Sequence, residues 1–435
     1  MLGWLPHREL HEDSVEQIAT ALTALAGMSN DSTSVVAGYT YFGQFVDHDI
    51  TFDPTSKLER VNDPDALRNF RTPRFDLDSL YGSGPDDQPF LYDWEEPPKG
   101  VKLLVGRNPG KPAGSAADDL PRNEDGRALI GDARNDENLV IAQLHLLFMR
   151  FHNKVVDYVG KRSERDRAEL FAEAQRVVRW HYQWIVLRDF LPKLAGEEAR
   201  ALGRRFYTWR DAPFMPVEFS GAAYRFGHSM VREDYRLNDA GPNMTLFGSD
   251  GHAEDLRGFR WLPAALEIEW KHFFKTAGTS PQMSKRIDPS LSRALAHVPP
   301  TQEPLARLNL KRGLALGLPA GRDVAEAMGE TPLSADDLLE PFGERIDGTC
   351  RDELLRATPL WYYVLREAEL RGGGGLHLGP VGGRIVAEVL LGLLEGDPNS
   401  YLRQWPAWEP DLPTAHDGTF TMPDLVDFAL NWDVG

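Results

Sequence analysis

The sequence predicts a mainly α-helical fold with little β structure. Apolar residues recur at helical spacing over four long segments, whereas the apolar–polar alternation typical of half-buried strands is scarce. The four segments are 14–27, 138–160, 165–196 and 380–396. Loops rich in proline and glycine separate them, but apolar helices resume after each loop. We therefore expect one large helical domain over residues 1–435, with a motif-bearing core at about 14–400.

The first two helices differ in how much of their surface is apolar. The first has Ile18, Leu22 and Leu25 on one stripe, and Gly27 supplies a C-terminal stop signal. The second, 138–160, is apolar around most of its circumference. It is therefore expected to be buried on most sides.

The last two predicted helices are characterised by their stop signals and by the length of their apolar runs. The third is expected to end at Pro192 and Gly196. The fourth holds the longest apolar run, 385–394. This run is too short to span a bilayer, so no membrane span is expected.

Composition excludes several classes of partner and site. The formal net charge is −18, which makes contact with nucleic acid or an anionic membrane repulsive. Cys350 is the single cysteine, so neither an internal disulfide nor a cysteine metal cluster can form. The first residues have no apolar core typical of a secretory signal. We expect a cytoplasmic protein, or one exported by a non-classical route; the oligomeric state is left open.

The stretch GQFVDHDITFD places two acids directly beside one histidine. If it is the end of a helix, Gln44 and His48 are four residues apart and share a face. Successive residues turn by about 100°, so Asp47 and Asp49 lie on different sides of His48. The two acids then have different partners. The alternative is a solvated capping cluster at a helix terminus.

The loop TPRFDLDSLYGSG alternates oxygen-bearing residues with others. Thr72, Asp76 and Asp78 offer side-chain oxygens, and Arg74 offers its carbonyl. Calcium binds six to eight oxygens of this mixed kind. Asp49, directed away from the His48 face, is suited to complete the shell. An ordinary acidic turn is the alternative.

A third motif, GDARNDEN, opens the long apolar helix. If this turn is helical, Arg134, Glu137 and Asn138 share one face. An arginine and an acid entering an apolar helix need a polar ligand or each other. His145 and His152, further along, fit core histidines with satisfied hydrogen bonds better than ligands.

The stretch YRFGHSMV carries a second histidine of interest. His228 follows Gly227, which leaves room for a flat group close by, and Arg225 lies three residues earlier. Asn309, in LNLKRGLALGLP, is a lone amide in an apolar context. An amide of this kind can orient a metal-bound imidazole by accepting its N–H.

Together these motifs resemble the animal-type haem peroxidase family, the peroxidase–cyclooxygenase superfamily. Six segments match in the family's order: 43–49, 72–83, 133–153, 224–231, 308–319 and 358–369. The chain is similar to a compact bacterial member. The resemblance implies a mainly helical fold with haem b, or an ester-modified haem, between core helices.

The resemblance also implies roles on the distal side of the haem. His48 resembles the distal histidine, and Gln44 its neighbour in the distal cavity. Asp47 and Glu137 resemble the two acids that form esters with haem methyl groups. Arg134 resembles the distal catalytic arginine.

On the proximal side, His228 resembles the iron ligand, Asn309 its hydrogen-bond partner and Arg225 a residue near the haem propionates. A calcium site is implied as well. Its ligands would be Asp49, Thr72, Arg74 through its carbonyl, Asp76 and Asp78.

The activity implied is reduction of hydrogen peroxide with oxidation of a small donor: an aromatic compound, iodide, bromide or thiocyanate. Asn138 stands where the strongest chloride oxidisers have a methionine, which argues against chloride as donor. A fatty-acid oxygenase is one alternative, but Arg225 stands where those enzymes have a catalytic tyrosine, and Tyr224 is displaced by one residue. A non-catalytic, calcium-stabilised binding domain is the other.

Overall fold

The computed structural model is mainly helical, which confirms the predicted fold class. It describes residues 1–51, 73–106, 111–197, 203–248, 255–276, 278–299, 301–414 and 418–432. Within these ranges the α-helices are α1 Glu12–Thr23, α2 Gly38–Ile50, α3 Asp78–Tyr81, α4 Leu139–Gly160, α5 Arg167–Trp184, α6 Leu191–Ala195, α7 Val217–Gly221, α8 Leu305–Ala315, α9 Gly321–Met328, α10 Ala335–Leu339, α11 Gly348–Arg356, α12 Leu360–Arg371, α13 Pro380–Gly396, α14 Tyr401–Gln404 and α15 Met422–Leu430. No helix in the described ranges is long and apolar enough to cross a membrane.

The β-strands of the described residues form two small antiparallel pairs. Strand β1, Asp31–Val36, pairs with β4, Met283–Lys285. Strand β2, Asp234–Arg236, pairs with β3, Asn243–Thr245. The scarcity of strand-like alternation in the sequence is thereby explained.

Helix α4 is the centre of the core, where it packs against α2, α5 and α15. Phe45 of α2 stacks on Phe148 of α4 with ring centroids 4.5 Å apart. Tyr182 of α5 meets both rings edge-on, at 6.3 Å and 5.8 Å. Because three helices share this aromatic cluster, the end of α2 has a fixed position relative to α4.

Two helix predictions need correction. Helix α1 ends at Thr23, and the chain then turns before Gly27, whose φ is 79°. Pro192 does not end the third helix, because a π-helical segment, Ile185–Phe190, leads directly into α6, where Pro192 lies in the first turn. A proline is tolerated there, since the first turn of a helix does not need its N–H.

The entrance to α4 also differs from the prediction. Residues Ala133–Asp136 form a 3₁₀ turn, and Asn138 has an extended backbone that caps α4 from outside the helix. The Asn138 Oδ1 accepts from the N–H groups of Val140 and Ile141, at 3.1 Å and 2.9 Å. The condition under which residues 134, 137 and 138 would share one face, an α-helical turn, is therefore not met.

Candidate active site

A cavity of about 1040 Å³ lies between α2, the 133–136 turn and a 3₁₀ segment, Ala223–Met230. Most of the residues singled out in the sequence line it. They are Gln44, Asp47, His48, Arg134, Glu137, Asn138, Arg225 and His228. Asn309 lies against His228 from α8. Residues as far apart in sequence as Gln44 and Asn309 thus meet in one place.

His48 lies in the last turn of α2 and is 5% exposed. Its Nδ1 lies 2.8 Å from Oδ1 of Asn135. Because a carbonyl oxygen can only accept, Nδ1 carries the proton, and the lone pair of a neutral ring is on Nε2. Nε2 lies 4.0 Å from Oε1 of Glu137, a cavity residue. His48 is therefore arranged as a base on the cavity side.

Glu137 is held by neighbours within the cavity. Gln44 donates from Nε2 to Oε1 of Glu137, and Asn138 donates to Oε1 of Gln44 at 3.4 Å. The Glu137 side chain is 41% exposed, and the surface it exposes faces the cavity. Burial raises the pKa of Glu137, against the lowering effect of His48 and Arg134.

Arg134 reaches the cavity wall through a network of its own. Its Nη2 donates to Oδ2 of Asp132 at 2.7 Å and to the carbonyl oxygens of His48, at 3.0 Å, and Thr51. Burial would raise the pKa of Asp132, but the hydrogen bonds and charge of Arg134 lower it to about 2. The guanidinium therefore links the 133–136 turn to the C-terminal end of α2.

His228 enters the cavity from the 223–230 segment. The side-chain nitrogen of Asn309 lies 3.2 Å from Nδ1 of His228. A half-turn of this amide places its oxygen there, where it accepts an N–H from Nδ1 and leaves the Nε2 lone pair for a ligand. Burial, and then the charges of Arg225 and Arg312, lower the pKa of His228 to about 3, so the ring is neutral.

Arg225 and Arg312 give this end of the cavity a positive charge. Nε of Arg225 donates to the Ser220 carbonyl at 2.9 Å. Burial, and then the nearby charge of Arg312, lower the pKa of Arg225 to about 9. Two cations at the wall of a partly apolar cavity favour an anionic ligand.

Asp49 lies on the other side of α2 from the cavity. It is fully buried, and one carboxylate oxygen each of Asp49, Asp76 and Asp78 lie within 4.8 Å of one another. Burial raises the pKa of Asp76, although Arg179 opposes the shift. Between the two loop aspartates, Leu77 has a φ of 56°, an uncommon conformation for a branched residue.

Thr72 lies outside the described residues, and Arg74 lies in the same loop as Asp76. The structure thus brings together three of the five predicted calcium ligands. Three carboxylates this close repel one another unless a cation or protons neutralise them.

Sequence reasoning missed the residues that support the 133–136 turn. Arg122 donates to Asp136 at 2.7 Å and 2.8 Å and to Asp119 at 2.8 Å, and its side chain is fully buried. Asn135 is fully buried between His48 and His145. The sequence did contain a signal for this turn. Asp132 and Asn138 flank a polar turn before an apolar run, and both residues act as caps.

The family model described as animal haem peroxidase matches residues 59–345. The chain belongs to the animal haem peroxidase family. The match covers the 133–136 turn and His228, but begins after His48.

Individual relatives of this haem peroxidase chain are distant. It is 26% identical over 307 residues to the chorion peroxidase of Aedes aegypti, a match that covers 68% of this chain and 37% of the relative. It is 25% identical over 372 residues to the thyroid peroxidase of Sus scrofa, covering 77% and 38%. The chain therefore spans less than two fifths of the length of these relatives.

Solved structures share the fold. Peroxidase A from Dictyostelium discoideum superimposes with a TM-score of 0.62 at 18% identity, covering 88% of this chain and 84% of that one. A fatty acid alpha-dioxygenase from Arabidopsis thaliana superimposes with a TM-score of 0.58 at 16% identity, covering 91% and 71%.

The residues of this family member fit a haem group. A haem group needs a protein ligand for its iron, which an imidazole nitrogen can supply, and partners for its two propionate carboxylates. The Nε2 of His228 and the charges of Arg225 and Arg312 lie at the same cavity. His48, on α2, lines the same cavity.

Proposed function

We propose that this chain is a haem peroxidase that reduces hydrogen peroxide and oxidises a small donor. One observation carries the proposal. Two histidines, His48 and His228, line a single cavity, and an amide group contacts Nδ1 of each. An amide at Nδ1 leaves Nε2 for the chemistry in both cases, which suits one ring to bind iron and the other to act as a base.

Each side chain then has one task. Haem, when bound, supplies the redox centre that accepts oxidising equivalents from peroxide. His48 Nε2 takes the proton from one peroxide oxygen and returns it to the other. Arg134, fixed by Asp132, stabilises negative charge that develops as the O–O bond breaks. Asn309 keeps the His228 ring in one orientation.

The experiment that tests this function uses the purified, haem-loaded protein. A Soret band that changes on adding peroxide, and returns when iodide or a phenol is added, is expected. The absence of both haem binding and peroxide-dependent oxidation would refute the proposal. It would favour a calcium-stabilised binding domain instead.

A fatty-acid oxygenase remains the second candidate, because Tyr224 lines the cavity and donates to the Gly43 carbonyl at 3.3 Å. In sequence, however, Arg225 occupies the position expected for a catalytic tyrosine, and Tyr224 lies one residue before it. Uptake of molecular oxygen with a long-chain fatty acid, in the absence of peroxide, would favour this function over the peroxidase.

We further propose that Asp49, Asp76 and Asp78 hold a structural calcium ion with Thr72 and Arg74. Metal analysis should find about one calcium per chain. A ligand that binds only the folded state stabilises it by about 2.7 kcal/mol when its free concentration is 100 times its dissociation constant. Chelation should therefore lower the melting temperature, and also slow the reaction with peroxide, because Asp49 adjoins His48.

Two variants sharpen the calcium test. Asp49→Asn should reduce the bound calcium and the melting temperature together. Asp239→Asn is the matched control: Asp239, Glu269 and His272 also converge, but on the surface, where Lys271 already pairs with both acids. Calcium-free protein of unchanged stability would contradict the assignment.

We also propose that Asp47 and Glu137 form esters with haem methyl groups. Each ester needs a two-electron oxidation of the methyl carbon, for which peroxide is the oxidant. After peroxide treatment, part of the haem should resist acid–butanone extraction, and haem-bearing tryptic peptides should contain Asp47 or Glu137. Asp47→Asn and Glu137→Gln should each remove one linkage. Haem that is released unmodified after peroxide turnover would rule the esters out.

The same site bears on the donor. Asn138 caps α4 and contacts Gln44, and it has no sulfur for a further bond to haem. We expect oxidation of iodide, bromide or thiocyanate with little oxidation of chloride. Brisk chloride oxidation at neutral pH would contradict this expectation.

A further inference from the structure

Three buried side chains form a chain of hydrogen bonds from the cavity wall into the protein. His48 Nδ1 donates to Oδ1 of Asn135 at 2.8 Å, and Nδ2 of Asn135 donates to Nδ1 of His145 at 3.0 Å. The three residues are 5%, 0% and 1% exposed. Of the three, only His48 lines the cavity. Asn135 and His145 therefore act, if at all, through His48.

Each of these residues belongs to a different element, and each element is anchored. Asn135 lies in the 133–136 turn, which the buried pair Arg122–Asp136 fixes at 2.7 Å and 2.8 Å. His145 lies on α4, where the ring of Phe45 packs against it edge-on with centroids 6.1 Å apart. The amide of Asn135 is consequently held at both ends by rings that cannot easily turn away.

The donor and acceptor roles in these two hydrogen bonds determine which nitrogen of His48 carries the proton. A neutral imidazole has one N–H and one lone pair. Oδ1 of Asn135 can only accept, so it selects the tautomer with the proton on Nδ1. His145 in turn selects the orientation of the amide, because its Nδ1 accepts the amide N–H. Burial lowers the pKa of His145 to about 3, so the ring is neutral and has one nitrogen free to accept this N–H.

We propose that Asn135 and His145 are positioning residues that hold His48 in the tautomer whose Nε2 accepts the peroxide proton. This inference rests on the proposed peroxidase function. It adds a neutral support to the base: the amide of Asn135 cannot take up a proton at physiological pH. The proton that His48 receives therefore stays on its ring until it is returned to the second peroxide oxygen.

Three rates measured by stopped flow on haem-loaded protein separate this role from a general effect on the cavity. The first is the reaction with peroxide. The second is cyanide binding to the ferric form, for which hydrogen cyanide must give up its proton to a base. The third is carbon monoxide binding to the reduced form, which needs no proton transfer. Positioning of the base affects the first two rates and leaves the third unchanged.

The primary variant is Asn135→Leu, which keeps the approximate volume and removes the acceptor. Loss of the partner that orients a metal-bound histidine typically costs about 10- to 100-fold in activity, and a base that depends on its orientation should be affected similarly. We expect the peroxide and cyanide rates to fall by this factor, with carbon monoxide binding within about twofold of wild type. Asn135→Asp retains an acceptor oxygen and should restore most of both rates.

If Asn135→Leu does not retain haem, a second pair of variants tests the positioning role. His145→Leu should slow the same two rates, whereas His152→Leu should not. His152 is an equally buried histidine on the same helix, bonded to Tyr81 and to the Val101 carbonyl, and does not line the cavity. Equal effects of His145→Leu and His152→Leu, or equal slowing of all three rates, would overturn the inference.

The two proposals fail in different ways. Wild-type protein that binds haem and cyanide but does not react with peroxide would refute the proposed function, while the cyanide comparison would still test Asn135. Wild-type protein that reacts with peroxide, with Asn135→Leu at the same rates, would refute the positioning role alone.

Discussion

Replacing His228 with alanine is expected to remove most of the haem from the purified protein. Nε2 of this ring is the nitrogen assigned to the iron, and Asn309 contacts the other nitrogen. Arg225 and Arg312 would still attract the propionates, but the group would have no axial nitrogen from this position. The ratio of Soret to protein absorbance measures the loss, and free imidazole should restore part of the spectrum.

His152→Ala is the control for the His228 variant. It also removes a buried ring and leaves the Val101 carbonyl and Tyr81 hydroxyl without that partner, at a cost of about 1–3 kcal/mol each. It should therefore lower stability while keeping haem at the wild-type ratio. A His228→Ala protein with a native spectrum and full turnover would show that another residue holds the iron.

The second large effect is expected from His48→Ala. A positioned base contributes about 10²–10⁴-fold to the rate of a proton transfer. The peroxide-dependent spectral change should slow by this factor, because alanine has no nitrogen to accept the proton that Nε2 of His48 takes from peroxide. The subsequent step with the donor should keep its wild-type rate constant.

Stopped flow in sequential mixing separates the two steps. Peroxide is mixed first, and the donor is added once the spectral change is complete. Wild-type speed in the first step, with a slower second step, would place His48 on the donor side of the reaction and contradict its assignment as the base.

Much of the fold could be predicted because its helices have strong apolar patterns. Residues 138–160 and 380–396 were placed to within one residue of α4 and α13. The directions in which the two acids of α2 point were also predictable, because successive helical residues are rotated by about 100°. Asp47 lines the cavity, and Asp49 lies with Asp76 and Asp78.

What could not be predicted depends on contacts between distant residues. Asn135 follows Arg134, which the sequence motif singles out, but nothing local shows that the amide of Asn135 meets a histidine 87 positions earlier. The 3₁₀ turn was also missed, because Asn138 can either continue a helix or cap it. Here the side-chain oxygen of Asn138 caps α4 by accepting from two N–H groups. Arg134 therefore reaches the cavity from a 3₁₀ turn and not from the first turn of an α-helix.

The last turn of α2 explains why this part of the chain is intolerant of changes in length. Asp47, His48 and Asp49 are consecutive, and each meets different surroundings: the cavity, Asn135 and the aspartate cluster. One inserted or deleted residue after Phe45 would rotate all three by about 100°. A carboxylate would then replace the imidazole, and an imidazole the carboxylate. A point substitution alters one of these three sites, whereas an insertion or deletion of one residue within the turn alters all three together.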